Sequence, residues 1–128
     1  MPNIHARNHI KIIGVPNYPS LDSITKKRKH KKEMKGVYIL DLEGKVIPEV
    51  YEALDLIADA DIILGTSHLS LEEIFALVKV TKERGVKKIL ITYPESRLVN
   101  MSVEDQVELA NMGAILKHDM YSFMPVCQ

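Results

Sequence analysis

The residues best suited to chemistry follow short apolar runs in this 128-residue chain. In "ILGTSHLSLEEI", residues 63 to 74, an apolar run ends in Gly-Thr-Ser, and His68 precedes the start of a predicted helix. A neutral imidazole between a strand end and a helix N-terminus suits a metal ligand or a proton carrier. The alternative is a histidine whose ring caps the turn and bonds the backbone. The local sequence leaves both interpretations open.

Polar side chains also follow the other apolar runs. Because the carboxyl ends of parallel strands meet at one edge of a sheet, we expect these side chains to share a rim. A catalytic metal needs about three protein ligands, and spacing alone does not show which of these residues meet. His118 and Asp119 could also be polar residues that end a strand without a functional role. Tyr93 could also pack its ring against the protein with its hydroxyl in solvent. The candidate rim residues are Asp41, Glu43, Thr66, Ser67, His68, Thr92, Tyr93, Glu95, His118 and Asp119.

Helix signals between the apolar runs predict the elements that position this rim. Residues 70 to 84 open with Ser70 and Glu73, the pattern of a capping box, and Gly85 follows as a stop. Helical spacing then predicts one buried face, which consists of Leu71, Ile74, Phe75 and Val78.

Two further helices are predicted by the same kind of signal. Residues 102 to 112 begin with Ser102 as cap and end before Gly113, and another helix begins at Pro48 and ends near Ala60. The predicted inner stripe of the helix at 102 to 112 is Val103, Val107 and Ala110.

Short apolar runs lie between these helices and show no alternation of apolar and polar residues. They predict strands that are covered on both faces, at 37 to 40, 61 to 66, 87 to 93 and 114 to 118. Strand-helix alternation with short turns predicts a parallel sheet with right-handed crossovers. The fold class is therefore α/β, either an open parallel sheet or a partial TIM-like barrel. Residues 9 to 15 are either a further strand or part of a long connecting segment outside the sheet.

Length and composition indicate one globular domain, with an irregular basic segment at 1 to 35 and strand-helix repeats at 36 to 128. The formal net charge is zero, but most of the positive charge lies in "KKRKHKK", residues 26 to 32. This run could bind phosphates, yet it lacks interleaved aromatic residues, so we favour a solvated face over a nucleic-acid partner. No run is long and apolar enough for a membrane span, and the lone Cys127 indicates the cytoplasm.

Four segments together resemble a known family: "LDLEGKVIPEV", "DIILGTSHLSLEEI", "KKILITYPES" and "SVEDQVELANMGA". They resemble an uncharacterised family of TIM-barrel proteins related to the amidohydrolase superfamily of metal-dependent hydrolases. In that family one segment reads like "D..L.TGHLS..E" and the next like "KI.ITHPE". The resemblance covers about residues 36 to 117, and "MPNIHARNH" resembles the end of a preceding barrel strand and its loop.

The resemblance implies that His68 binds a divalent metal ion such as zinc, because it matches the histidine that ends the fifth barrel strand. Tyr93 stands where the second ligand histidine is expected, and a phenol, with a pKa of about 10, replaces an imidazole poorly. The His-any-His pair of the first strand and the aspartate of the last are outside these residues. The chain therefore resembles half of a barrel, which in full needs roughly 250 residues.

These observations predict a metal-dependent hydrolase, cleaving an amide, ester or phosphoester of a small molecule with metal-activated water, that is incomplete as an isolated chain. An open half-barrel leaves edge strands and an apolar inner face, which predicts a homo-oligomer. The alternative is a non-catalytic α/β binding or assembly module that kept the scaffold and lost the chemistry.

Overall fold

The computed structural model describes residues 6–13, 36–120 and 124. Four helices and three strands alternate along the described chain, with the first two helices preceding the first strand. In chain order they are α1 (Arg7–Ile13), α2 (Pro48–Asp59), β1 (Leu64–Gly65), α3 (Leu71–Glu83), β2 (Ile89–Thr92), α4 (Val103–Asn111) and β3 (Ile115–Lys117).

The three strands form one open parallel sheet in the order β1-β2-β3. Leu64 lies opposite Ile89 between the first two strands, and Ile91 lies opposite Leu116 between the last two. A helix connects each strand to the next, which is the arrangement that parallel neighbours require. The predicted fold class, α/β with an open parallel sheet, is confirmed.

The predicted helix boundaries are confirmed because their caps form. The Ser70 hydroxyl accepts a hydrogen bond from the Glu73 amide, and the Glu73 carboxylate accepts one from the Ser70 amide. Ser102 and Asp105 form the same reciprocal pair at the start of α4. Such pairs satisfy amides that a helix N-terminus otherwise leaves without a partner.

The core lies between one face of the sheet and the helices. Leu64, Ile89 and Ile91 are buried in one cluster with residues of α2, α3 and α4, and Leu116 packs against it. Residues on the other face are more exposed: the side chain of Ile115 is 64% exposed, and that of Ile63, just before β1, is 63% exposed. The prediction that the strands are covered on both faces is therefore wrong for these positions.

The predicted inner stripe of α4 is also wrong. Val103 and Val107 are 69% and 55% exposed, and Ala110 is exposed as well. Leu109 is the fully buried residue of this helix. The apolar spacing of the valines fits a helix face, but the helix buries a different face, the one that carries Leu109.

Residues 37–40 do not form a strand of the sheet, contrary to prediction. Their carbonyls accept hydrogen bonds elsewhere: that of Ile39 accepts from the Ile47 amide, across the turn at 41–45, and that of Val37 accepts from the Arg7 amide of α1. The Asp41 carboxylate fixes this turn by accepting bonds from the amides of Glu43 and Lys45. The segment keeps only isolated bridges, Ala6 to Val37 and Leu40 to Val46.

The N-terminal strand prediction over residues 9 to 15 is wrong where it can be compared, because residues 9–13 belong to helix α1. The Ile10 amide donates to the carbonyl of Ala6, four residues earlier, which is the hydrogen-bond pattern of an α-helix. Residues 14–35, including the basic run at 26 to 32, and Cys127 lie outside the described residues. Within the described residues, no helix is long and apolar enough to cross a bilayer.

Candidate functional site

The loops that follow the three strands lie side by side and form the predicted rim. Asp41 and Glu43 do not belong to it, contrary to prediction, because they lie in the turn at 41–45 and follow no strand of the sheet. Thr66 lies beneath the rim: its side chain is fully buried, and its hydroxyl accepts a 3.3 Å hydrogen bond from the Thr92 amide. The Thr92 hydroxyl in turn donates to the carbonyl of Ser67 at 3.4 Å. The structure therefore places Thr66 as a link between two strand ends and not at the solvent edge of the rim.

Two residues at these strand ends adopt the left-handed backbone conformation. Ser67 and Tyr93 both have φ of 57°. Outside glycine this conformation costs about 1–2 kcal/mol per residue, and it is enriched where function requires a particular side-chain placement. Ser67 lies two residues after the end of β1 and Tyr93 lies directly after the end of β2, so both strained positions belong to the rim.

These turns bring His68 and Tyr93 together. Their ring centroids lie 6.0 Å apart, with the planes at 63° in an edge contact, and both side chains are half-buried. Lys117, the last residue of β3, places its Nζ 5.7 Å from the centroid of the Tyr93 ring. The structure thus assembles side chains from the ends of all three strands around Tyr93.

Asn8 of helix α1 joins the same region from outside the sheet. Its side-chain amide donates to the carbonyl of Leu98 at 2.7 Å and to that of His68 at 3.4 Å. Sequence analysis missed this residue, because no local pattern in "MPNIHARNH" predicts a contact with residues 60 and 90 positions away. A cleft of ≈ 360 Å³ lies beside α1, lined by residues of α1, the turn at 40–44 and the start of α3.

A second cluster lies where β2 and β3 end. The Nδ1 atom of His118 lies 3.1 Å from Oε2 of Glu95, and the Asp119 amide donates to Oε1 of the same carboxylate at 2.9 Å. The Glu95 side chain is 16% exposed and that of His118 is 51% exposed. Both oxygens of Glu95 are thus engaged by residues that follow the neighbouring strand.

The environment of Glu95 favours its charged form. Burial acts to raise the pKa of this carboxyl, but hydrogen bonds from the amides of Asp119 and Glu95 itself, with the charge and hydrogen bond of His118, lower the pKa below its ordinary value. The carboxylate is therefore charged at neutral pH. A neutral His118 that donates its Nδ1 hydrogen to this carboxylate keeps its lone pair on Nε2.

The spacing of His68 and Tyr93 resembles that of two ligands of one metal ion, but their chemistry does not. Two imidazoles on a tetrahedral zinc have ring centroids roughly 5 Å apart, given Zn–N distances of about 2.0–2.1 Å. A protonated phenol in the second position is a poor zinc ligand. Among residues 6–13, 36–120 and 124, no group of three or more His, Cys, Asp or Glu could hold an ion. The described residues alone therefore do not fit a complete metal site.

A family comparison places the chain among its relatives. A model of a family of unknown function, DUF6282, matches residues 1–117. The chain belongs to the DUF6282 family. The match includes His68, Tyr93 and Glu95 and ends just before His118, so the DUF6282 match covers most of the rim. No curated protein and no solved structure matches the chain.

Proposed function

We propose that this chain forms part of a hydrolase that uses activated water to cleave an amide, ester or phosphoester bond of a small molecule. The observation that carries the proposal is the convergence of His68, Tyr93 and His118 on one rim, at the carboxyl ends of three adjacent parallel strands. Ligands of parallel α/β proteins bind at this edge. The left-handed backbone at Tyr93 supports the same location.

His68 is the proposed ligand of a divalent metal ion such as zinc. Since the described residues supply too few donors, further ligands would have to come from another segment or from a second copy of the chain. His118 is a weaker candidate for a ligand, because the Glu95 carboxylate already holds its ring. Asp119, whose backbone amide donates to the same carboxylate, stays a candidate rim residue. No catalytic step is assigned to a metal on this set of residues.

The alternative function is an α/β binding or assembly module without catalysis. Exposed apolar side chains support it: Ile63 and Ile115 lie on the sheet face turned away from the helices, and Val103 and Val107 lie on the outer side of α4. Exposed apolar surface of this kind favours association. We propose a homo-oligomer under either function, because it would cover this surface and the free edges of the sheet.

The cytoplasm is the proposed compartment, on the ground that the chain has a single cysteine, Cys127. Nucleic acid is not a proposed partner. The basic run at 26 to 32 is interpreted as a solvated segment, since it contains no Phe, Tyr or Trp to stack on bases.

Metal content and hydrolysis, measured together, test the first proposal. The full chain, purified without chelator, is compared with the His68→Ala variant for bound zinc, manganese and nickel and for turnover of a panel of amides, esters and phosphoesters. We expect bound metal and chelator-sensitive turnover in the wild type and a loss of both in the variant. Equal, negligible metal in both proteins would refute the metal-dependent hydrolase.

Sedimentation velocity over a wide range of concentration tests the proposed association. We expect an oligomer in solution. A monomer at the highest concentration would refute the proposed homo-oligomer. It would also weaken the assembly module, because the exposed apolar side chains that support it would then remain uncovered.

A further inference from the structure

We propose that His118, oriented by Glu95, is a general base that hydrolyses carboxylic esters without a metal ion. The proposal goes beyond the metal-dependent function above, since it requires neither His68 nor an ion. It rests on the contact between His118 and Glu95 at the ends of β2 and β3.

The contacts of Glu95 fix the imidazole in one orientation. Oε1 accepts from the Asp119 amide and Oε2 contacts Nδ1 of His118, so the carboxylate cannot rotate without breaking one of them. The carboxylate is mostly buried, whereas the imidazole is half exposed. The nitrogen that remains for proton transfer, Nε2, therefore belongs to a ring that is held from behind and accessible to solvent.

The charge of Glu95 suits this role as well. A carboxylate that accepts from Nδ1–H selects the tautomer with a basic Nε2 and stabilises the imidazolium that forms when Nε2 takes a proton. A purely structural role explains less of the geometry. The hydrogen bond from the Asp119 amide to Glu95 already joins the two strand ends. The ion pair between His118 and Glu95 adds little to stability, because the His118 side chain is half exposed.

The reaction balances with water as the only co-reactant. A water molecule gives a proton to Nε2 of His118 while its oxygen attacks the acyl carbon of the ester, and the π electrons move to the carbonyl oxygen. When the tetrahedral intermediate collapses, the bond between the acyl carbon and the alkoxy oxygen breaks. The leaving oxygen takes the proton from the imidazolium, which yields a carboxylic acid and an alcohol and regenerates the neutral ring.

The test uses 4-nitrophenyl acetate as the probe and the full chain with EDTA present throughout. Variants His118→Ala and Glu95→Gln are compared with the wild type. His30→Ala serves as the control, because it removes an imidazole from the basic run. Circular dichroism and thermal melting establish that each variant is folded. Turnover is corrected for the rate with an equal concentration of free imidazole.

We expect His118→Ala to lose at least tenfold in kcat and to regain part of it when imidazole is added, as a structural residue would not. Glu95→Gln should lower kcat severalfold with KM unchanged, and the control should match the wild type. If His118→Ala keeps the wild-type rate, or its loss is not rescued by imidazole, the proposal is wrong. EDTA suppresses any metal-dependent turnover, so this assay measures only the reaction that needs no metal. A failure of the metal-dependent hydrolase therefore leaves the result unaffected, and the two proposals can fail separately.

Discussion

The two capping boxes give a prediction with an internal control. Glu73 is buried, and its Oε2 accepts from the Ser70 amide at 2.9 Å while its Oε1 has a longer contact of 3.5 Å with the Ile39 amide. Asp105 makes the equivalent bond to the Ser102 amide at 3.0 Å, but at an exposed site. The same motif thus occurs once in the interior and once at the surface.

We expect Glu73→Ala to lower the free energy of unfolding by about 2–3 kcal/mol, because it leaves buried amides without an acceptor. Asp105→Ala should lower it by about 1 kcal/mol, since water can replace the lost acceptor there. Glu73→Gln should fall between these values, because its amide oxygen still accepts.

Urea denaturation followed by circular dichroism measures these changes. With a slope of roughly 1.5 kcal/mol per M, the midpoint should fall by about 1–2 M for Glu73→Ala and by about 0.7 M for Asp105→Ala. Slopes that match the wild type would show that the transition itself is unchanged. Equal losses at the two sites, or a larger loss at Asp105, would refute the argument that Glu73 links α3 to the segment at 37–40.

Three further predictions concern the rim and the core. Since the pKa of Glu95 in the folded protein lies below its ordinary value of 4.5, the ionised carboxylate stabilises the protein above that pH. The difference in unfolding free energy between the wild type and Glu95→Gln should therefore shrink as the pH falls below about 4.5. Ser96→Ala should leave the free energy of unfolding, measured by thermal denaturation, unchanged or raise it by up to about 1 kcal/mol, because the buried Ser96 hydroxyl has no hydrogen-bond partner among the described residues. In urea denaturation, Leu109→Ala should lower the free energy of unfolding by about 2–4 kcal/mol and Val107→Ala by less than about 0.5 kcal/mol. A larger loss for Val107→Ala than for Leu109→Ala would show that the face predicted from the sequence is the buried one.

The helices and the parallel direction of the strands could be predicted because their signals are local. Ser70 and Ser102 cap their helices through residues three positions later, and Pro48 begins a helix through its own fixed φ. The parallel direction of the strands follows from the alternation of strands and helices. These features depend on neighbours in sequence, which a pattern of residues records directly.

The wrong predictions concern features that depend on tertiary packing. The valines of α4 and Leu109 are equally apolar, and only the packing of the helix on the sheet decides which of them is buried. Residues 37–40 have a strand composition, but their backbone groups bond to Ile47, Arg7 and Glu73 and to no strand of the sheet. An apolar pattern does not record either outcome.

The rim was predicted as a set of residues but not as a set of contacts. Parallel strand ends place His68, Tyr93 and His118 on one edge, as expected from the alternation. That Glu95 holds the His118 ring depends on the path of the loop after β2, to which the left-handed turn at Tyr93 contributes. Nothing in the residue types distinguishes this carboxylate from its neighbours in the sequence.

Zinc affinity across a double-mutant cycle tests most directly the claim that the chain retains the geometry of a metal-binding rim. Calorimetry would compare the wild type, His68→Ala, Tyr93→His and the double variant. Because the two rings are 6.0 Å apart, Tyr93→His should supply a second imidazole beside His68 and raise zinc affinity at least tenfold. That gain should disappear in the double variant. Affinity in Tyr93→His no higher than in the wild type, or a gain that persists without His68, would contradict the account.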